Sequence, residues 1–307
     1  KDAVLRVKRL NSNKIPLKCA LIYMDGMVDS EQLNDAVIRP VLLCGAPNED
    51  TTLAEYLGTQ VLFARDVKQN GNVAKIIEGI IYGEALLLID GSTMALTIDV
   101  KGWRTRGIKE PEDERVLQGP REGFEEAALL NLAMLRRRLQ TPDFCVEMLR
   151  LGRRTNTLVF ICYLGTLANE KTVAELQKRI SKIDIDGVLD SNYINELIKG
   201  NRYSLFKSSG TTERPDIVAA KLLEGRIALV VDGTPVVVTL PYLFSESFQS
   251  DEDYYLNFLV SSVGRILRYI CFFLSISIPA IFIALSTFHK ELLPLLDNYI
   301  PNRFSSC

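Results

Sequence analysis

Hydrophobic and polar positions follow two different rules along this chain. From Tyr269 to Phe288 no residue carries a charge, between Arg268 on one side and His289-Lys290 on the other. About twenty such residues are what an α-helix needs to cross a hydrocarbon core, so the run is predicted to span a membrane rather than fill a soluble core, the helix covering about residues 266–288. Ser275, Ser277 and Pro279 fit such a span, because hydroxyl side chains and neighbouring helices satisfy the backbone group that a proline frees. Ahead of it the apolar residues come in short runs. Cys19 to Val28 is β-rich and is followed by a predicted helix from Ser30 to about Leu43; Thr157 to Ala168 repeats that shape before an amphipathic helix from Lys171 to Ile183.

A second pair of segments matches more closely. Gly83 to Gly91 aligns without gaps on Gly225 to Gly233, and each ends in an Asp-Gly pair, Asp90-Gly91 and Asp232-Gly233, between two strand-like runs. Asp-Gly in that setting predicts a β-hairpin with a type I′ turn, since both residues tolerate positive φ. A helix is predicted ahead of each hairpin, near Val73 to Tyr82 and Glu213 to Glu224. Tyr23 lies 67 positions before Asp90 and Tyr163 lies 69 before Asp232, so the two echoes keep their order and separation. The pattern predicts an α/β fold of two duplicated subdomains, mixed sheets with flanking helices, over residues 1–103 and 157–250.

Residues 104–156 read as an arginine-rich helical linker between the repeats. Phe124 to Leu139 has apolar residues at spacings of three and four, with Glu122, Glu125 and Glu126 in the expected first turns, Arg136, Arg137 and Arg138 in the last, and Pro142 beyond. At about 100° per residue the three arginines fan around the axis and cannot share one solvated face, so at least one is expected to pair with a carboxylate or another subunit. Residues 251–307 form the juxtamembrane segment and the span. Arg265 and Arg268 precede the apolar run while Lys290 is offset by Glu291, which places the large N-terminal region on the cytoplasmic side. Lys1 to Asn13 lacks the apolar core of a secretory signal, and with Lys1 rather than Met in first place an upstream segment stays open.

Composition narrows the chemistry. A formal net charge of −2 over 307 residues gives no basis for general attraction to nucleic acid. The single histidine, His289, sits at the membrane edge, which removes histidine acid–base catalysis and Ser-His-Asp or Cys-His dyads from the soluble part. Cys19, Cys44, Cys145, Cys162, Cys271 and Cys307 are scattered singly, without spacing for zinc, redox chemistry or a disulfide framework, and read as core residues of a reducing compartment. Gly119-Pro-Arg-Glu-Gly123 lacks the Gly-Lys-Ser/Thr of a P-loop. Asp184-Ile-Asp186-Gly-Val-Leu-Asp190 has its glycine too early for a calcium loop and reads as an acidic turn capping a helix that starts at Ser191. No catalytic residue, metal or cofactor is assigned, and an enzyme is not expected.

What remains is paired charge: Arg121-Glu122, Arg137-Arg138, Arg153-Arg154 with Asn156, and Glu213-Arg214 with Asp216. Arginine forks hold carboxylates of a ligand or of another domain in a fixed plane. Two readings stay open: an ion-pair network fixing the subdomains to the linker, and a small-molecule site, for which the junction between subdomains is the favoured place. Asp90, Gly91, Asp232 and Gly233 are assigned to structural turns.

Six stretches, in order, carry a resemblance to a known family: Gly-Pro-Arg-Glu-Gly-Phe (119–124), Leu-Arg-Arg-Arg-Leu-Gln-Thr-Pro-Asp-Phe (135–144), Leu-Gly-Arg-Arg-Thr-Asn-Thr (151–157), Asp-Gly-Val-Leu-Asp-Ser (186–191), Thr-Glu-Arg-Pro-Asp (212–216) and Leu-Glu-Gly-Arg-Ile-Ala-Leu-Val-Val-Asp-Gly-Thr-Pro (223–235). From Asp2 to about Pro294 the chain resembles the A subunit of the GerA-type spore germinant receptors. The resemblance implies a polytopic protein of the spore inner membrane with two α/β subdomains on the cytosolic, spore-core side. It implies assembly with B and C subunits, a homo-oligomer formed through the membrane region, and a part in nutrient sensing and in an ion channel that triggers germination. Nutrient binding is assigned in that family to the B subunit, so the resemblance marks no residue here as the germinant site. The alternative is a small-molecule-binding module or assembly scaffold anchored to the membrane without channel activity. Two departures stand out. The second tyrosine strand has Gly165-Thr166 where the first copy places Gly26, and Asp297 to Cys307 does not continue into the further spans the family implies, so a truncated or altered end is expected there.

Overall fold

A computed structural model describes residues 4–11, 17–47, 51–102, 111, 114, 119–200, 204, 206–250, 253 and 255–288. The expectation about Asp297 to Cys307 and the position of His289 lie outside the described residues. The chain divides into two compact units, Lys1–Val116 with Pro120–Tyr242, and Leu117–Gly119 with Leu243–Cys307.

The larger unit holds two five-stranded sheets. The first contains β1 (Leu5–Asn11), β2 (Lys18–Met24), β3 (Val67–Asn70), β4 (Ala85–Ile89) and β5 (Ala95–Ile98), in the order β1-β2-β4-β5-β3. The second contains β6 (Phe144–Leu151), β7 (Thr157–Leu164), β8 (Gly210–Thr212), β9 (Ile227–Val231) and β10 (Val237–Leu240), in the order β6-β7-β9-β10-β8. The duplication extends to register. Leu5 lies opposite Met24 as Phe144 lies opposite Leu164, and Ala20 opposite Leu88 as Phe160 opposite Val230. The two-subdomain α/β arrangement is as expected, but every strand pair among the described residues is antiparallel where mixed sheets were predicted. Tight connections join β4 to β5, β6 to β7 and β9 to β10, whereas β2 and β4, β3 and β5, β7 and β9, and β8 and β10 pair across intervening helices that return the chain in the antiparallel sense.

The helices form where a capping side chain meets an apolar stripe. Asp29, Asn72, Asn169 and Asp190 each accept a backbone N–H from the first turn of the helices that begin at Ser30, Val73, Glu170 and Ser191. The helix over residues 30–43 has a π-helical middle, Leu33–Ile38. Its Leu33, Val37 and Val41 pack with Leu57 against Leu21, Leu87, Leu96 and Ile98 on one face of the first sheet. The second sheet is buried on both faces. Ile161, Leu229 and Val231 meet Val173, Leu176 and Ile194 from the helices Glu170–Ile180 and Ser191–Ile198. On the other side Phe144, Val146, Phe160 and Val230 meet Leu132 and Leu135 of Ala128–Arg138 and Val218 and Leu222 of Pro215–Leu223. Burying each such large aliphatic side chain contributes about 1.5–3 kcal/mol.

Two expectations change in detail. The Asp-Gly corners turn their chains with positive φ at Gly91 (+81°) and Gly233 (+91°), while Asn156 is the only described non-glycine residue with positive φ. The type I′ turn, which needs positive φ at both central residues, is therefore replaced by a wider connection in which Gly alone takes the left-handed conformation. The helix predicted from Phe124 to Leu139 begins only at Ala128, so Glu122, Glu125 and Glu126 precede its first turn. Moreover β6, inside the stretch read as linker, is an edge strand of the second sheet along eight paired residues.

The smaller unit contains a short 3-10 turn, Phe244–Phe248, and a 31-residue helix, Phe258–Phe288, with Pro279 inside it. At 1.5 Å per residue this helix is about 46 Å long, enough to cross a bilayer with turns to spare. Its stretch Phe258–Leu285 is apolar enough to be a membrane span. It starts earlier than predicted because the residues from Phe258 to Arg268 are themselves amphipathic: Ser261, Arg265 and Arg268 form one stripe while Phe258, Leu259, Val263 and Ile266 are exposed around it.

Candidate functional site

The linker helix Ala128–Arg138 is held at both ends by groups remote in sequence. Its N-cap position is Ala127, which has no side-chain acceptor, and the Ala128 N–H donates instead to Asp232 Oδ1 at 3.0 Å, across 104 residues. The neighbouring Gly233 N–H donates to Glu126 O at 2.8 Å. Asn131, fully buried, accepts from the Glu125 N–H at 2.8 Å and donates to Glu125 O at 2.6 Å, which turns the incoming chain out of helical conformation. The second Asp-Gly corner is thus the cap of the linker helix as well as a turn. Between its ends the helix also meets the first subdomain: Ala133 packs with Met24 and Met27, and Val4 joins the core beneath the same helix. Gly26, at φ +80°, is close enough that an added Cβ would lie 3.3 Å from Leu129 O.

At the C-terminal end the three arginines separate as helix geometry requires. Arg136 is buried, its guanidinium 5.1 Å from the centre of the Phe144 ring. Arg138 donates to Glu122 Oε2 at 2.7 Å, and Arg137 lies 3.8 Å from the same carboxylate. Together with Pro120, Arg121 and Met134 they line a recess of about 420 Å³. The structure therefore brings Arg121, Glu122, Arg137 and Arg138 to one place.

The remaining candidates form two further groups. Arg153 makes a bidentate contact with Asp184, Nε to Oδ1 at 2.6 Å and Nη2 to Oδ2, and this hydrogen-bonded guanidinium holds the Asp184 carboxyl below its ordinary value. The backbone N–H groups of Arg153 and Arg154 donate to the carbonyls of Ile185 and Asp186 at 2.9 and 2.8 Å. Asn156, at φ +49°, closes the β6–β7 turn by donating its N–H to Gly152 O at 3.1 Å. The acidic segment 184–190 is thereby tied to that turn, and Asp190 caps the next helix as expected, accepting also from Thr234 at 2.9 Å. In the third group Arg214, fully buried, folds back onto Asp216 with Nε and Nη2 contacts of 3.1 and 2.6 Å. Glu213 takes part through its backbone: its carbonyl accepts from the Phe124 N–H at 2.8 Å at the entrance to the linker helix. The Gly165-Thr166 turn also forms without positive φ, because Asp143 accepts from the Thr166 N–H at 3.0 Å.

One group in the smaller unit was not foreseen. The Asp253 side chain, 2% exposed, accepts two hydrogen bonds from Arg268, at 2.8 and 3.0 Å, and one from Arg265 Nε at 3.1 Å. These guanidinium contacts, Arg268 first, outweigh burial and hold the Asp253 carboxyl well below its ordinary value. Arg268 also donates to Phe248 O at 2.9 Å, and the Phe248 ring stacks on Tyr269 at 4.3 Å and meets Phe272 edge-on at 5.1 Å. Arg265 and Arg268 were legible as topogenic charges; nothing in the local sequence singled out Asp253 as their acceptor.

The sequence profile of the family described as Bacillus/Clostridium GerA spore germination protein matches residues 1–303. The chain belongs to this family. Over 275 residues this GerA-family chain is 38% identical to spore germination protein KA of Bacillus subtilis (strain 168), covering 90% of this chain and 50% of that protein. It is 39% identical over 274 residues to the Bacillus subtilis membrane protein YfkQ and 30% identical over 277 residues to spore germination protein GerLA of Bacillus cereus. The chain spans about half the length of the curated relatives it matches. Among solved structures it resembles the N-terminal domain of the A subunit of the Bacillus megaterium spore germinant receptor GerK3, with a TM-score of 0.56 and 29% identity, over 79% of this chain and 90% of that one.

Proposed function

We propose that the chain is the cytosolic region and first membrane span of the A subunit of a nutrient germinant receptor in the spore inner membrane. In this reading the two subdomains face the spore core, the subunit assembles with B and C subunits and with copies of itself through the membrane region, and the assembly contributes to an ion channel whose opening starts germination. The observation that carries it is the continuity, in one GerA-family chain, of a duplicated pair of subdomains with an apolar helix of membrane-spanning length. The role is mechanical rather than catalytic. Asp232, Gly233, Glu122, Arg137 and Arg138 fix the linker helix, and through it the two subdomains move as one body. Arg153, Arg154 and Asn156, and Glu213, Arg214 and Asp216, hold the edges of the second subdomain in the same body. A tagged full-length protein purified from spore inner membranes should bring B-type and C-type subunits with it. Recovery of the chain alone from those membranes, with both other subunits expressed, overturns the reading.

A second reading has its own support. The recess of about 420 Å³ beside Arg121, Arg137 and Arg138 has the size of a small-ligand site and the donors for a carboxylate. Here the chain is a ligand-binding module or scaffold without channel activity. Calorimetric titration with amino acids and with cytosolic carboxylates separates the two: saturable heat that disappears in Arg137→Ala favours the module, and its absence favours the mechanical role.

A further inference from the structure

The shared register lets each position of the first sheet be compared with its counterpart in the second, and one face differs. In the second sheet Phe144, Val146, Phe160 and Val230 are at most 1% exposed, because the linker helix and Pro215–Leu223 together lie over them. Their counterparts are Leu5, Val7, Ala20 and Leu88. Leu5 is 39% exposed, Val7 60% and Leu88 40%. The helix Val73–Ile81, which corresponds to Pro215–Leu223, packs against β2, β3 and β4 and leaves these residues exposed. A groove of about 410 Å³ remains beside β1, lined by Arg9, Lys18, Ala20, Leu88 and Asp90 among others.

The corner at the end of this groove repeats the one that caps the linker helix. Gly91 has φ +81° where Gly233 has +91°, and the Asp90 N–H donates to Lys18 O as the Asp232 N–H donates to Leu158 O, both at 2.9 Å. The linker helix ends six residues before Phe144, the counterpart of Leu5. A counterpart helix at the same spacing would end just ahead of Lys1. The chain spans about half the length of its curated relatives, so the full proteins have sequence outside it.

We infer that this face seats an amphipathic helix encoded immediately ahead of Lys1 in the longer protein. Asp90 caps its first turn as Asp232 caps Ala128. Its apolar stripe covers Leu5, Val7 and Leu88, and its flank carries carboxylates toward Arg9 and Lys18. The occupant is the chain itself rather than a second copy, since a connection as short as the one between the linker helix and β6 leaves that helix no other sheet to reach. Each subdomain is then the same unit of helix, edge strand and sheet.

The test is made on the full-length gene product in detergent or nanodiscs. Val7→Cys and Leu88→Cys are labelled with a maleimide and compared with Phe63→Cys, an exposed site on the same subdomain, each peptide being resolved by mass spectrometry. Both groove cysteines should react at least tenfold more slowly than Cys at 63, and removing all residues ahead of Lys1 should abolish the difference. Hydrogen exchange on the unsubstituted protein reads the same surface without a mutation: amides around Asp90 and β1 should be protected in the long chain and lose protection in the shortened one. Equal reactivity of the three sites in the full-length protein overturns the inference. So does protection that appears only at high concentration or only with other subunits present, because the occupant would then be another chain.

Discussion

Replacing Asp232 by alanine removes the acceptor that caps the linker helix from the opposite end of the sequence. The Ala128 N–H, 3.0 Å from Asp232 Oδ1, has no acceptor at its own N-cap, so the loss is that of a helix cap, about 0.5–2 kcal/mol. The carboxylate also sits at the positive end of the helix dipole, which adds about 0.3–1 kcal/mol. A combined loss near ~2 kcal/mol lowers the melting temperature of a unit this size by about 4–8 °C. Asp232→Asn keeps an acceptor and loses only the charge, so it should recover more than half of that. Thermal unfolding of the three proteins gives the ranking, and hydrogen exchange at Ala128 and the next amides locates it: exchange there should rise in Asp232→Ala first. A melting temperature within 1 °C of the parent, with unchanged exchange at Ala128, would refute the long-range cap. An Asn variant as unstable as the Ala variant would reduce the effect to charge alone.

Gly26→Ala and Gly91→Ala form a matched pair, with φ of +80° and +81°; each pays about 1–2 kcal/mol for a left-handed alanine, but only at Gly26 does the new Cβ press on Leu129 O, while at Gly91 nothing lies within 4 Å. Urea titrations should show the Gly26 variant less stable than the Gly91 variant, and equal losses would remove the contact between linker helix and first subdomain from the account. Asp253 is held below its ordinary 3.8 by Arg268 and Arg265, so its pairing contributes stability that is complete above that value and fades as pH falls below it. Protection of residues near 253–265 against proteolysis should therefore be flat from pH 8 to 5; a decline already evident between 7 and 5 contradicts the assignment. The Arg153–Asp184 pair is bidentate but solvent-exposed, so Arg153→Lys should leave the melting temperature almost unchanged; a large drop would mean that this turn is structurally critical.

The repeat was legible because its signals are local: apolar runs, Asn and Asp at helix starts, and Asp-Gly corners at matched separations. The helix over 30–43 and the positions of the two hairpins follow from those alone. What was not legible came from contacts between residues far apart in sequence. The acids at Glu122, Glu125 and Glu126 look like first-turn residues until Asn131 and Asp232 are in place to stop the helix at Ala128. Likewise β6 reads as linker because Glu147 and Arg150 break the apolar run, and only pairing with β7 shows it to be a strand. Of the candidate site, at least one of Arg136, Arg137 and Arg138 was expected to pair with a carboxylate or another subunit, and Arg138 and Arg137 lie beside Glu122. The guanidinium stripe of Arg265 and Arg268 was read as charge near a membrane, whereas its partner Asp253 could be found only in three dimensions.

The central claim is that the linker helix couples the two subdomains to receptor function, and it is tested most directly in spores. Germination of spores carrying Arg138→Ala or Glu122→Ala in the full-length protein would be followed by ion release after nutrient addition, with the amounts of all receptor subunits measured in the same membranes. The account predicts a response at least tenfold slower in both variants, accompanied by reduced receptor assembly. Normal subunit levels together with a normal nutrient response in both would contradict it.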